Sequence, residues 1–292
     1  MSLLPPFVRS VLEDAVGPVR SARGVGGGDV SRAARVGTSS RTVFVKWGRG
    51  DAGKTYPAEA AGLEALSRAA GPGLDVPVPV LHRAATDFED GLLVLPWLEG
   101  GTPSRSDWSR FGAALAELHR ADADGGGYGW DADNWVGSKP QRNGWLESWP
   151  EFFGERRLRA QAEVVRRRRA WDPAWDEMLD RVVGRLDDLL PARPPRSLVH
   201  GDLWAGNALA LEDGFALIDP AVYVGHREVD LAMTELFGGF PAAFYGGYRE
   251  AWPLEAGYAE RREVYNLFHL TNHLTHGPGY RRPVEVILRR FA

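Results

Sequence analysis

The residues best suited to chemistry lie in one short stretch, Val199-His200-Gly201-Asp202-Leu203-Trp204-Ala205-Gly206-Asn207. Two apolar runs follow, Ala208 to Leu211 and Phe215 to Ile218, separated by Asp213-Gly214, a strong hairpin-turn pair. The second run ends on Asp219-Pro220. Asp202 and Asn207 therefore precede a hairpin, and Asp219 lies just beyond it. A hairpin returns the chain to its start, so it can bring Asp219 near Asn207. A carboxylate beside a hydroxyl can orient it and take its proton. An Asn oxygen and a second carboxylate are hard ligands of the kind magnesium prefers. Such a metal bridges ATP phosphate oxygens and offsets charge on the transferring group, so the set suits phosphoryl transfer.

Other elements must position these groups. Thr42 to Lys46 is rich in β-branched and aromatic residues and predicts a strand with Lys46 at its end, where a lysine can pair the α- and β-phosphates. Pro57 can open a helix and Gly71 close it. Within it Glu59 shares a face with Leu63 and Leu66, so its carboxylate points inward and wants a cationic partner, which Lys46 can supply. Gly26, Gly27 and Gly28 precede both, where a phosphate-covering loop belongs, although a glycine cluster alone more often marks a plain turn. Leu92 to Leu95 predicts a buried strand, and Pro96 to Gly101 a connector whose Pro96, Trp97 and Leu98 would face adenine as a hinge. The spacing from Asp202 to Asn207, with His two residues before the Asp, equals that of the protein-kinase catalytic loop. The expected fold is α+β and bilobal, protein-kinase-like. It has a small β-rich N-terminal lobe (1–95), a hinge (96–101) and a larger, mainly helical C-terminal lobe (102–292).

Elsewhere the patterns are blander. Ser106 is positioned to cap a helix carrying Trp108, Phe111, Leu115 and Leu118. Helices are expected over the Glu151 to Ala170 region and over Trp175 to Leu190, and Arg166 to Arg169 reads as a solvated face. His226-Arg227-Glu228 and Asp230 admit two readings of equal weight: a substrate-facing loop after the metal aspartate, or a polar turn in which Asp230 caps a helix or pairs locally. His269, His273 and His276 share a helical face, but no carboxylate stands among them and their apolar neighbours favour packing over a metal site. No Gly-x-Ser-x-Gly elbow and no Gly-Lys-Ser/Thr loop is present, which disfavours a hydrolase triad and a Walker A site.

The 292 residues are 44% hydrophobic and 25% charged, ordinary for globular chains, with net charge -4. That balance gives no global pull toward nucleic acid or anionic lipid. Cysteine is absent, which excludes disulfides and thiolate metal sites and fits a reducing cytoplasm. The first residues lack a signal-peptide pattern, and no apolar run approaches the ~18 residues of a membrane span. Eleven tryptophans offer either packing or stacking faces.

Several strings resemble the fructosamine (ketosamine) kinase family. HGDLWAGN at His200 to Asn207 resembles its catalytic loop, and DPAVYVGHREVDLAMTELFGGFP at Asp219 to Pro241 is similar to its metal loop and following helix. DNWVGSKPQRNGWLESWPEFF at Asp133 to Phe153 and YNLFHLTNHL at Tyr265 to Leu274 look like further family signatures. Trp204 and the Gly-His-Arg-Glu string point away from choline kinases and aminoglycoside phosphotransferases, which share the fold. The resemblance implies ATP- and Mg2+-dependent phosphorylation of the 3-hydroxyl of a ketosamine, free or protein-linked, giving an unstable product that sheds the sugar. It implies Asp202 as base and Asn207 and Asp219 as metal ligands. Lys46 with Glu59 would hold phosphates, Trp204 would stack on the sugar, and His226 and Arg227 would help shape that site. Some family members carry a Cys in the glycine loop; Asp29 occupies the matching place here.

Overall fold

The computed structural model describes residues 3–26, 32–121, 123 and 125–292. Gly27, Gly28 and Asp29 therefore lie outside the described residues, while Gly26 directly follows the first strand. The N-terminal lobe is built on a five-stranded antiparallel sheet. Its spatial order is Val19–Val25, Arg32–Thr38, Thr42–Gly48, Gly91–Pro96 and Leu81–Arg83.

The central strand, Thr42–Gly48, alternates strictly. Val43, Val45 and Trp47 join an outer core with Val8, Leu12 and Val16 of the helix Pro6–Val16 and with Leu92 and Val94. Side chains of opposite parity, Phe44 and Lys46, face the other way, as a period of two requires. Phe44 packs there on a second core that contains Leu93 and Leu95 together with Leu63 and Leu66 of the helix Tyr56–Ala69. Lys46 is thus delivered to the inner face of the sheet.

That second core does not stop at the lobe boundary. It continues through Phe111, Leu115 and Leu118 of the helix Arg105–Arg120 and through Phe215 and Leu217 of the hairpin Ala208–Leu211/Gly214–Leu217. Leu74–Asp75 adds to this hairpin as a parallel strand, and Gly101 N–H donates to Ala210 O at 2.8 Å. The chain therefore stitches the N-terminal half to the hairpin on which the reactive loop is mounted. A third core fills the C-terminal lobe around Trp149, Phe153, Tyr265 and the last helix, Arg281–Phe291.

Three helix expectations change in detail. The cap of Arg105–Arg120 is Ser104, not Ser106: Ser104 and Asp107 form a reciprocal capping box, which Ser106 could not make with its own third neighbour Ser109. The helix expected from Glu151 starts at Trp149, capped by Ser148. It passes through a wider π turn, Phe153–Arg159, before Ala160–Arg167. The helix expected over Trp175 to Leu190 breaks after Gly184 into Asp176–Gly184 and Leu186–Leu189, a poor helix former marking the break.

Candidate active site

The reactive loop runs from the strand Arg196–Val199 to the hairpin. Two features bend it. Gly201 has φ 79°, and a Cβ there would lie 2.1 Å from the Ala221 carbonyl, so only glycine passes. His200 then works as an internal brace: its Nε2–H donates to Ile218 O at 2.9 Å, and its Nδ1 accepts from Asp202 N–H at 3.3 Å. One imidazole thereby ties both mouths of the hairpin. Burial pushes His200 below its ordinary pKa, which keeps it in the neutral form these two bonds require.

Asp202 and Asn207 meet as the spacing predicts. Asn207 Nδ2 donates to Asp202 O at 2.8 Å, to Asp202 Oδ2 at 3.4 Å and to Asp219 O at 3.5 Å. One amide group therefore touches both ends of the hairpin. With its nitrogen so used, Asn207 presents Oδ1 as an acceptor.

Asp219 is one of two non-glycine residues with positive φ among those described, at 55°. That conformation costs on the order of 1–3 kcal/mol outside glycine and clusters at functional sites, with Asp among the more tolerant residues. Here it aims the carboxylate at Lys46, whose ammonium donates to Asp219 Oδ1 and to Glu59 Oε1, the latter at 2.9 Å. Glu59 reaches this point because its helix packs tightly on the strap after Asp219. A side chain at Gly62 would crowd Pro220 and Val222, each 3.3 Å from where a Cβ would lie.

The carboxylates are set apart electrostatically. Burial pushes Asp202 up to about 7, with repulsion from Asp219 and Asp230 adding to it. Burial likewise pushes Glu59 up to about 7, against the pull of Lys46. Burial also works to raise Asp219, but the Lys46 ammonium outweighs it and holds this carboxyl below its ordinary range. For Lys46 itself, burial favours the neutral amine, and Glu59 and Asp219 overcome this to hold its pKa above the ordinary value. The Asp219 side chain is 43% exposed while Lys46 and Glu59 are 13% and 14%, so Asp219 is the member of the cluster that opens to a ligand.

Asn207 Oδ1 and the Asp219 carboxylate fit a magnesium ion. Both are hard oxygens, and two protein donors leave the other positions to phosphate and water, as this ion prefers. Among the described residues no group of three or more His, Cys, Asp or Glu side chains could hold a metal alone. At the expected hinge, Pro96 ends its strand opposite Val43, and Trp97 N–H is taken by Thr42 O at 3.3 Å. The Trp97 ring lies 5.1 Å beneath the Arg35 guanidinium. Trp204 stands two residues beyond Asp202 and is 42% exposed, unlike most of the tryptophans.

The substrate-facing reading of His226 and Arg227 is corrected. Both are fully buried. His226 Nδ1 pairs with Tyr265 OH at 2.8 Å, in the core that Trp149 also joins. Arg227 donates to Trp252 O and Pro253 O at 3.0 and 2.6 Å and lies 4.0 Å over the Trp252 ring. Neither has an open face to give a substrate. His269 is also buried, and His273 Nδ1–H donates to its carbonyl, so these imidazoles belong to the packed helix Tyr258–His273.

Sequence reasoning missed two buried groups. Lys139 is 1% exposed on the hairpin Asn134–Val136/Lys139–Gln141, and its charge favours the ionised form of Asp202. His119 lies in the last turn of the helix Arg105–Arg120, where a polar residue ordinarily reads as solvated, yet it is fully buried. No local pattern distinguishes either from a surface residue.

A β-rich N-terminal sheet that carries Lys46, a helix that carries Glu59, and a loop and hairpin that carry Asp202, Asn207 and Asp219 to meet them form a protein-kinase-like arrangement. Comparison with known proteins narrows the class. The fructosamine kinase family matches residues 8–291. A probable ketoamine kinase of Synechocystis is 42% identical over 277 residues, covering 93% of this chain and 90% of that protein. A chloroplastic protein-ribulosamine 3-kinase of Arabidopsis thaliana is 34% identical, covering 90% and 80%. The crystal structure of a Thermobifida fusca protein, a candidate fructosamine-3-kinase, superposes with a TM-score of 0.85 at 30% identity over 97% of both chains. The chain belongs to the fructosamine kinase family.

Proposed function

We propose that this protein is an ATP-dependent ketosamine kinase that phosphorylates the 3-hydroxyl of sugar–amine adducts. The observation that carries the reading is the single Asn207 amide that joins the Asp202 carboxylate to the Asp219 mouth of the cleft, opposite Lys46. Lys46, oriented by Glu59, holds the α- and β-phosphates. Adenine lies against Pro96, Trp97 and Leu98. With Trp97 N–H already committed and Pro96 lacking one, the backbone donor to the base is Leu98.

Asn207 and Asp219 would hold magnesium, which would supply charge neutralisation on the phosphates. Asp202 takes the proton of the acceptor hydroxyl as its oxygen bonds to the γ-phosphorus. The bond from that phosphorus to the β–γ bridging oxygen breaks, and ADP leaves. Trp204, exposed beside the base, stacks on the sugar. The acceptor is a ketosamine on a free or protein-linked amine. The phosphorylated product is unstable and sheds its sugar, so the activity is deglycating. A cysteine-free chain suits the reducing cytoplasm, and among the described residues no helix is long and apolar enough to cross a membrane.

The test is ADP release with Mg-ATP against ribulose-lysine, fructose-lysine, choline and kanamycin. Turnover confined to the ketosamines is expected, and the panel ranks the sugars. Turnover only on choline or kanamycin would keep the phosphotransferase chemistry and overturn the acceptor.

A further inference from the structure

The run Arg166 to Arg169 is exposed throughout, as the sequence suggests, yet its members divide. Arg166 pairs with Glu163 and Asp176, and Arg167 with Glu163. Among the described residues no carboxylate pairs with Arg168 or Arg169. Arg168 donates instead to Ser138 O at 3.2 Å, in the turn of the hairpin Asn134–Val136/Lys139–Gln141. Arg169 has φ 58° and is, besides Asp219, the other non-glycine residue with positive φ among those described. It stands just past the helix Ala160–Arg167, whose end is a Schellman turn: Arg169 N–H donates to Arg166 O at 2.9 Å and Ala170 N–H to Val165 O at 3.1 Å. Such a turn favours glycine at the left-handed position, because a side chain there is strained. The negative end of the helix dipole favours a cation, but Arg166 and Arg167 already stand in the last turn. The chain therefore keeps an arginine where glycine suits the fold better.

This corner lies on the acceptor side of the site. Ala170 O accepts from Arg281 at 3.5 Å, and Arg281 is itself neutralised by Asp172. Arg281 directly follows Tyr280, whose ring lies 5.2 Å from His273, and His273 lies 4.8 Å from Phe237. Phe237 is exposed and leads into Gly238 and Gly239. Gly239 approaches the catalytic loop so closely that a Cβ on it would lie 2.5 Å from the Ala205 Cβ. Ala205 follows Trp204, the exposed ring beside Asp202. From the opposite direction, Lys139 follows Ser138, and its charge acts on both Asp202 and His273. Two guanidiniums without a carboxylate thus stand at the rim of the surface that leads to Trp204 and Asp202. Both belong to the C-terminal lobe, whereas Lys46 and Glu59 belong to the N-terminal one.

We propose that Arg168 and Arg169 select ketosamines on an acidic carrier, a glycated lysine in a peptide or protein segment flanked by aspartate or glutamate. The proposal rests on the ketosamine reading above and names the carrier that reading leaves open. The guanidinium fork matches a carboxylate in shape and charge. A free lysine adduct brings one carboxylate, offset by its own ammonium, whereas two flanking acidic residues offer each arginine a partner. A strained backbone conformation held by a side chain that the fold does not use fits a binding role rather than a folding one. Because both arginines are exposed, the selection is moderate and salt-dependent.

The experiment measures ADP release on glycated peptides of one length whose single lysine is flanked by Glu, by Gln or by Arg, with free ribulose-lysine alongside. For the wild type at about 0.01 M salt, kcat/KM should be about fivefold to tenfold higher on the Glu peptide than on the Gln peptide, and lowest on the Arg peptide. At about 1 M salt the Glu and Gln peptides should agree within about twofold. The double variant Arg168→Gln/Arg169→Gly should bring the Glu-to-Gln ratio within about twofold at either salt. Arg169→Gly alone should lower the ratio in part and leave the thermal midpoint equal or higher, which an arginine kept for folding would not do. Equal kcat/KM on the Glu and Gln peptides, a preference that survives the double variant, or a lowered midpoint in Arg169→Gly would overturn the proposal. So would turnover of free ribulose-lysine with none of the peptides. A wild type that turns over neither the peptides nor free ribulose-lysine would instead overturn the ketosamine reading, before any variant is compared.

Discussion

The two mouths of the catalytic hairpin carry one aspartate each, and their surroundings drive them apart. At the entry, burial pushes Asp202 up to about 7, and repulsion from Asp219 and Asp230 adds to it. At the exit, Asp219 faces the Lys46 ammonium and is held low, in a backbone conformation that only a local compensation would sustain. Two chemically identical side chains, tied to one another through Asn207, thereby differ in proton affinity, one raised and one lowered. Environment assigns the roles; residue type only permits them.

That contrast can be broken from either side. The largest effect is expected at the exit. Asp219→Asn removes the permanent anion, leaves Lys46 with Glu59 alone, and should lower kcat by about 10²–10³-fold while weakening Mg-ATP binding. A variant that binds Mg-ATP normally would show that Asp219 is not the metal-side group. Glu59→Gln is next. Lys46 then keeps only Asp219, and the loss of one charge-assisted bond, about 1.5 kcal/mol, should raise the KM for ATP roughly tenfold with little change in acceptor KM.

The pH dependence sharpens the entry side. Asp202 must be ionised to accept a proton, so kcat/KM should fall about tenfold per pH unit below an apparent pKa near 7. A rate flat down to pH 5 would contradict this. The smallest effect is expected at Trp204. Trp204→Ala should raise the ketosamine KM about threefold to tenfold, from roughly 1 kcal/mol of stacking, and leave the KM for ATP unchanged.

How legible each part was follows the same geography. The entry loop, hairpin and Asp219 are contiguous in sequence, so residue types, spacing and turn chemistry suffice to assemble them. Lys46 and Glu59 were readable from phase alone: a strand period of two and a helix stripe send both side chains to the face where they meet. The buried network behind the loop was not readable. His119 pairs with Asp230 and with Tyr248, and Tyr248 with Arg227, across helix packing that no local pattern encodes. The same blindness placed His226 and Arg227 at the substrate: position just after Asp219 suggested exposure, and the strand Tyr223–His226 with the helix start that follows turns both into the core. The glycine-rich turn stays an expectation from sequence, since two of its three candidate residues lie outside those described.

The central claim is that Asp202 is a base kept partly protonated by its surroundings while Asp219 anchors the metal side. Asp202→Asn separates these most directly, measured as Mg-ATP affinity, ketosamine-dependent ADP release and thermal midpoint at pH 8 and pH 4. A carboxyl raised in the folded state binds its proton more tightly there than when unfolded. It therefore costs stability only as pH climbs from the ordinary carboxylate range toward 7, and that cost is fully present above 7. The account predicts unchanged nucleotide affinity, transfer reduced at least about 10³-fold, and a higher midpoint than wild type at pH 8 that converges with it at pH 4. Retained transfer, or a variant less stable than wild type at pH 8, would contradict it.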